Sequence, residues 1–152
     1  MRRIRGLLLT ILALCAAARF AGARSIPAYG GKAWVASEAS CFSDNHGSTT
    51  QNCSGGHYWF IPLDLQFSAY QNTTPYPVIS VYKPSSQVNL GCQTFAVSVD
   101  LLTVSTQSGM TWANVPGTQT LWPGPISVPG HIYHTFVWCY MEPGTRVNNV
   151  NW

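Results

Sequence analysis

Cys92-Gln93-Thr94-Phe95-Ala96-Val97-Ser98-Val99-Asp100-Leu101-Leu102-Thr103-Val104 decides the fold class. Phe95, Val97, Val99 and Leu101 fall on one side of an extended chain, and Thr94, Ala96, Ser98 and Asp100 on the other. That period of two is the mark of a strand with one buried face, and it predicts a strand over 92–104. Working outward, residues 32–36, 57–61, 77–82 and 110–115 read as shorter strands. The run 131–141 is apolar on both sides. Ile132, Phe136, Trp138 and Tyr140 lie on one, and Tyr133, Val137, Cys139 and Met141 on the other. Such a strand belongs in the middle of a two-layer packing.

Breakers separate these runs: Gly30-Gly31, Gly55-Gly56, Pro84-Ser85-Ser86, Pro116-Gly117, Pro123-Gly124-Pro125 and Pro129-Gly130. No repeat and no helical periodicity follow residue 23. Short strands with frequent turns predict an all-β fold, an antiparallel β-sandwich of jelly-roll or Ig-like type, stabilised by disulfides. Residues 43–52 read as a polar loop, and 142–152 as a surface wrap or a final edge strand.

The first 23 residues read as a signal peptide. Arg2, Arg3 and Arg5 precede an uncharged run over 7–18, and Ala21-Gly22-Ala23 offers a cleavage site. That run is far short of the roughly 20 apolar residues of a membrane span. Cys15 suggests a lipoprotein signal, but Leu14 before it fits poorly. Residues 24–152 are then one exported domain with four basic and five acidic residues, net −1. No basic run remains to attract phosphates, which sets nucleic-acid binding aside. Low charge with abundant aromatics excludes disorder and suits an uncharged extracellular surface.

Four cysteines follow residue 23. An even number in an exported chain predicts two disulfides, Cys41–Cys53 and Cys92–Cys139. The first would staple the 43–52 loop; the second would join adjacent strands or facing sheets. Zinc motifs bring cysteines closer together than any pair here.

Candidate chemistry is sparse. No G-x-S-x-G elbow occurs. Glu38, Asp44, Asp64, Asp100 and Glu142 are the carboxylates from which a glycosidase pair would be drawn. His131 and His134 point to opposite faces of a strand and cannot chelate one ion there. A metal site would instead have to combine His46, His57 and one later histidine.

The expected ligand-binding groups are Asp44, Asn45 and His46 on the stapled loop, with Trp112 and Trp122 as exposed stacking platforms. The other aromatics are assigned mostly to core. Asn52-Cys53-Ser54 and Asn72-Thr73-Thr74 match the N-glycosylation sequon.

These features predict a small exported non-enzymatic protein without a cofactor. Its role is recognition of a carbohydrate or cell-surface ligand, or a structural one outside the cell. The alternative is a secreted hydrolase using a carboxylate pair or a histidine-bound metal; a third reading is self-association.

Overall fold

The computed structural model describes residues 24–63, 74–98, 104–128 and 133–152. The expected signal peptide, Asp64, Asp100, His131 and the Asn72-Thr73 part of the second sequon lie outside them. Among the described residues there are twelve strands: β1 (Ser25–Pro27), β2 (Lys32–Ala33), β3 (Phe42–Asn45), β4 (Ser48–Gln51), β5 (His57–Leu63), β6 (Val78–Lys83), β7 (Leu90–Ser98), β8 (Val104–Gln107), β9 (Thr111–Trp112), β10 (Gly117–Leu121), β11 (Tyr133–Met141) and β12 (Arg146–Asn151). Two short 3₁₀ helices, Ala28–Gly30 and Ala36–Cys41, interrupt the otherwise extended chain, and the sequence shows no periodicity that announces them.

The strands form two antiparallel sheets. Sheet A runs β10-β6-β12-β4-β3 with β1 beside β12, and sheet B runs β2-β5-β11-β7-β8 with β9 beside β7. From β4 to β7, and again from β9 to β12, each connection changes sheet, a crossing habit of jelly-roll sandwiches. The chain is an antiparallel β-sandwich. No helix among the described residues is long and apolar enough to cross a membrane.

Alternation decides what fills the space between the sheets. Sheet A turns Ile79, Val81, Leu121, Val147 and Val150 inward. They meet Trp59, Ile61 and Leu63 of β5, Leu90 and Cys92 of β7, and Val137, Cys139 and Met141 of β11. Trp59 takes its polar atom inside as well, where Nε1 donates to the Ala28 carbonyl at 2.8 Å.

Both disulfides form as expected. Cys92 and Cys139 face each other directly across β7 and β11, so this bridge lies within sheet B and does not tie one sheet to the other. Cys41–Cys53 closes the base of the β3–β4 hairpin.

Three expectations are corrected. The 92–104 stretch is not one strand: β7 stops at Ser98, and Val104 already pairs back on Val97 in β8. Its facing is also the reverse of the expected one. Cys92, Thr94 and Ala96 turn inward, while Phe95 and Val97 cluster on the exterior side with Phe60, Phe136 and Trp138.

The 43–52 segment is a hairpin with its turn at His46-Gly47. Their φ values of 48° and 90° are those of a two-residue hairpin loop with both central residues left-handed. The tail is the third correction. β12 sits inside sheet A between β6 and β4, and a bulge between Val147 and Asn149 re-phases it so that Val147 and Val150 both point inward.

Candidate functional site

Sheet A's exterior is an ordinary wet surface. Ser80 and Asn148 are joined by a 3.0 Å bond from Asn148 Nδ2 to Ser80 Oγ, and the Arg146 guanidinium lies 5.0 Å from the centre of the Tyr82 ring. Sheet B's exterior differs in kind. Its three long strands place three cross-strand rows there: Pro62–Phe136–Phe95, Phe60–Trp138–Gln93, and Tyr58–Tyr140–Gly91.

The rings of these rows touch one another. Tyr140–Tyr58, Tyr58–Trp138 and Trp138–Phe60 are 5.2, 4.5 and 5.9 Å apart between centroids, and Phe60–Phe95 and Phe95–Phe136 are 5.3 and 5.5 Å apart. Each pair falls in the range where aromatic contacts are favourable. Phe60, Phe95 and Val97 are buried, while Tyr58, Phe136, Trp138 and Tyr140 are half-buried.

Two tryptophans from neighbouring segments extend this layer. Trp34, just after β2, stacks on Phe60 at 4.6 Å and 20° and is 61% exposed. Trp112, on β9, is opposite Gly91 in the ladder and meets Tyr140 edge-on at 6.0 Å, with 45% of its surface exposed.

Glycine at position 91 makes that seat. A Cβ there would come within 2.6 Å of the Trp112 ring, and a strand glycine under a neighbouring aromatic is a recognised pairing. The expected outcome of Gly91→Ala is a folded protein whose Trp112 is displaced, read as a changed indole emission and faster quenching by iodide.

At the Tyr140 end a polar cluster is attached to the layer. Glu142 accepts from the Asn89 backbone N–H at 2.7 Å, from Asn89 Nδ2 at 3.1 Å and from the Tyr140 hydroxyl at 3.1 Å. The Asn89 side-chain bond leads in holding the Glu142 carboxyl below the ordinary range, with the Asn89 backbone and Tyr140 bonds helping; burial opposes them. Tyr140 moves the other way: burial first, then the bond to Glu142, pushes its phenol up.

The signs follow. The Glu142 contribution to stability is present above the usual carboxylate range and fades as pH falls through its lowered value. The Tyr140 contribution is present below the usual phenol range and fades as pH rises through its raised value. Glu142→Gln should therefore move the Tyr140 titration back toward about pH 10, the ordinary tyrosine value, in a spectrophotometric titration.

Among the described residues, Glu38 and His57 are engaged with each other away from the layer. Glu38 Oε2 lies 3.1 Å from His57 Nδ1, and His57 Nε2 lies 3.2 Å from the Ser54 carbonyl. Cys41, Cys53 and His57 bring their ligand-type atoms within 4.8 Å of one another, but the disulfide occupies both sulfurs. His134 is exposed.

The sequence-predicted site residues divide between the two sides of the sandwich. Asp44, Asn45 and His46 are exposed at the hairpin on sheet A's edge strand. Several hairpin groups bond internally. Thr49 Oγ1 donates to Asp44 Oδ1 at 2.6 Å, Ser48 Oγ to the Asn45 carbonyl at 2.7 Å, and Asn52 Nδ2 to Ser43 Oγ at 2.8 Å. His46 borders a shallow polar hollow with Ser25, Ser80, Asn148 and Asn149.

Trp112 belongs to the aromatic layer on sheet B. Trp122 is 71% exposed just past the end of β10 in sheet A, and among the described residues it makes no ring contact. The structure thus does not gather these five residues into one site.

Sequence reasoning missed Trp34 and the shared exterior of Tyr58, Phe60, Phe95, Phe136, Trp138 and Tyr140. The available signal was the apolar character of both faces of 131–141.

No protein-family model matches the chain, and no curated protein sequence does. Among solved structures it is similar to the C-terminal CBM6 of LamC, a marine laminarinase from Zobellia galactanivorans. The TM-score is 0.45 at 14% identity, covering 86% of this chain and 98% of that one.

Proposed function

We propose that this is an exported carbohydrate-recognition protein without catalytic activity, and that the exterior of sheet B is its binding face. The observation that carries the reading is the unbroken layer of rings from Trp112 through Tyr140, Tyr58 and Trp138 to Phe60 and Trp34. Apolar surface of this extent and continuity on one side of a small domain marks an interaction site.

Chemistry favours a sugar over a protein or lipid surface. Pyranose rings present apolar C–H faces that stack on aromatic faces, with hydroxyls left at the edges. The rim here supplies uncharged or singly charged partners for them, among them the half-buried Tyr58 and Tyr140 phenols and Glu142, and the exposed Lys32. Trp138 Nε1, buried in the layer, has no hydrogen-bond partner among the described residues. The two disulfides suit an extracellular setting.

The test is binding to a panel of cellulose, chitin, xylan and soluble β-glucans by pull-down and affinity electrophoresis. Retention by at least one, lost when the ring layer is altered, is the expected result. Retention by none overturns the reading.

A further inference from the structure

At the Phe95 end of the ring layer the surface sinks into a hollow of about 360 Å³. Trp34, Phe60, Phe95, Val97, Val104 and Phe136 line it, and among the described residues Lys32 is the one charged lining residue. We propose that the carbohydrate recognised by this face carries an apolar substituent, an alkyl or acyl chain, and that the hollow receives it. This inference rests on the carbohydrate reading above.

The hollow's chemistry differs from that of the platform beside it. None of the six lining side chains named has a polar atom except the indole of Trp34. A bare sugar ring lowered into such a space would bury hydroxyls without partners, which weakens binding about fivefold or more for each. A methylene chain entering the same space tightens binding about fourfold for every carbon removed from water. Size agrees, because a cavity of about 150 Å³ accommodates a benzene molecule, and this hollow is more than twice as large.

Two exposed apolar side chains border the hollow, Trp34 at 61% and Val104 at 55%, and a chain lying between them would cover both. The exposed Lys32 gives a linking ester or glycosidic oxygen a donor. The occupant is therefore amphipathic: a hydroxylated body on the rings and an apolar tail in the hollow.

Calorimetric titration of the full chain with methyl and octyl glycosides of glucose, galactose and N-acetylglucosamine, below micellar concentrations, tests this. Unsubstituted oligosaccharides and octanol serve as the separate arms. For at least one sugar, the octyl glycoside should bind about thirtyfold or more tighter than the methyl one. Val104→Asp, at an exposed position, should abolish that difference and leave oligosaccharide affinity unchanged.

If oligosaccharides bind but octyl and methyl glycosides bind equally, the inference fails and the platform reading stands. If octanol binds as tightly as every octyl glycoside and no oligosaccharide binds, both fail. A difference that survives Val104→Asp overturns the placement of the tail.

Discussion

Replacing Trp34 and Trp112 together by alanine is expected to weaken polysaccharide binding by roughly a thousandfold while leaving thermal unfolding almost unchanged. Both rings are largely exposed, at 61% and 45%, so neither contributes much to the core between the sheets. At an interface, however, a buried tryptophan anchor is worth about 2 kcal/mol or more, roughly thirtyfold in affinity.

The two rings contact different members of the layer, Trp34 meeting Phe60 and Trp138, and Trp112 meeting Tyr140. Their effects should therefore nearly multiply. Affinity electrophoresis gives the binding change, and circular dichroism confirms the fold. Trp122→Ala is the matched control: this ring is more exposed than either and stands outside the layer, so binding should persist. Equal losses from Trp122→Ala and the double variant would argue for general surface hydrophobicity.

The second large effect concerns the bridges. Cys92→Ala with Cys139→Ala should cost about 4 kcal/mol of stability, against about 3 kcal/mol for Cys41→Ala with Cys53→Ala, in the loop-entropy account. The separations of 47 and 12 residues set that order. Packing widens the gap. Cys92 and Cys139 are both fully buried in the main core, so alanine also leaves space there, whereas Cys53 is half-buried at a hairpin base.

Set against a typical net stability of 5–15 kcal/mol, the Cys92/Cys139 loss should lower the melting temperature by on the order of 15 °C. Urea unfolding of the two variants beside the parent protein measures the difference. Because β7 and β11 also carry Phe95, Phe136, Trp138 and Tyr140, that pair of substitutions should loosen the proposed binding face as well. Identical destabilisation by the two pairs would contradict this ranking.

The sandwich was legible because alternation and turn residues are local properties. β5, β6 and β11 fall where the apolar runs place them, and both disulfide pairs are those expected from spacing and an even cysteine count. A strand was one of two readings of the tail, but the central place of β12 was hidden because its bulge replaces a period of two by a step of three between Val147 and Val150. The β3–β4 hairpin was hidden because its buried positions are Thr49 and Gln51, polar residues that composition assigns to a loop.

The proposed binding face shows a deeper limit. An apolar residue on each side of a strand announces two surfaces that avoid water, but it does not say what covers the second one. In β7 the smaller residues Cys92, Thr94 and Ala96 take the interior. The larger Phe95 and Val97 are left outside. Periodicity reports that the two faces differ, and only packing against sheet A decides which of them turns inward.

The most direct test follows the six tryptophan indole N–H signals by ¹H–¹⁵N NMR as soluble polysaccharide is added. The signals of Trp34, Trp112 and Trp138 should move together along one binding curve, while those of Trp59, Trp122 and Trp152 stay in place. Movement confined to Trp122, or no movement with any polysaccharide that the protein retains, would contradict the assignment of sheet B's exterior as the binding face.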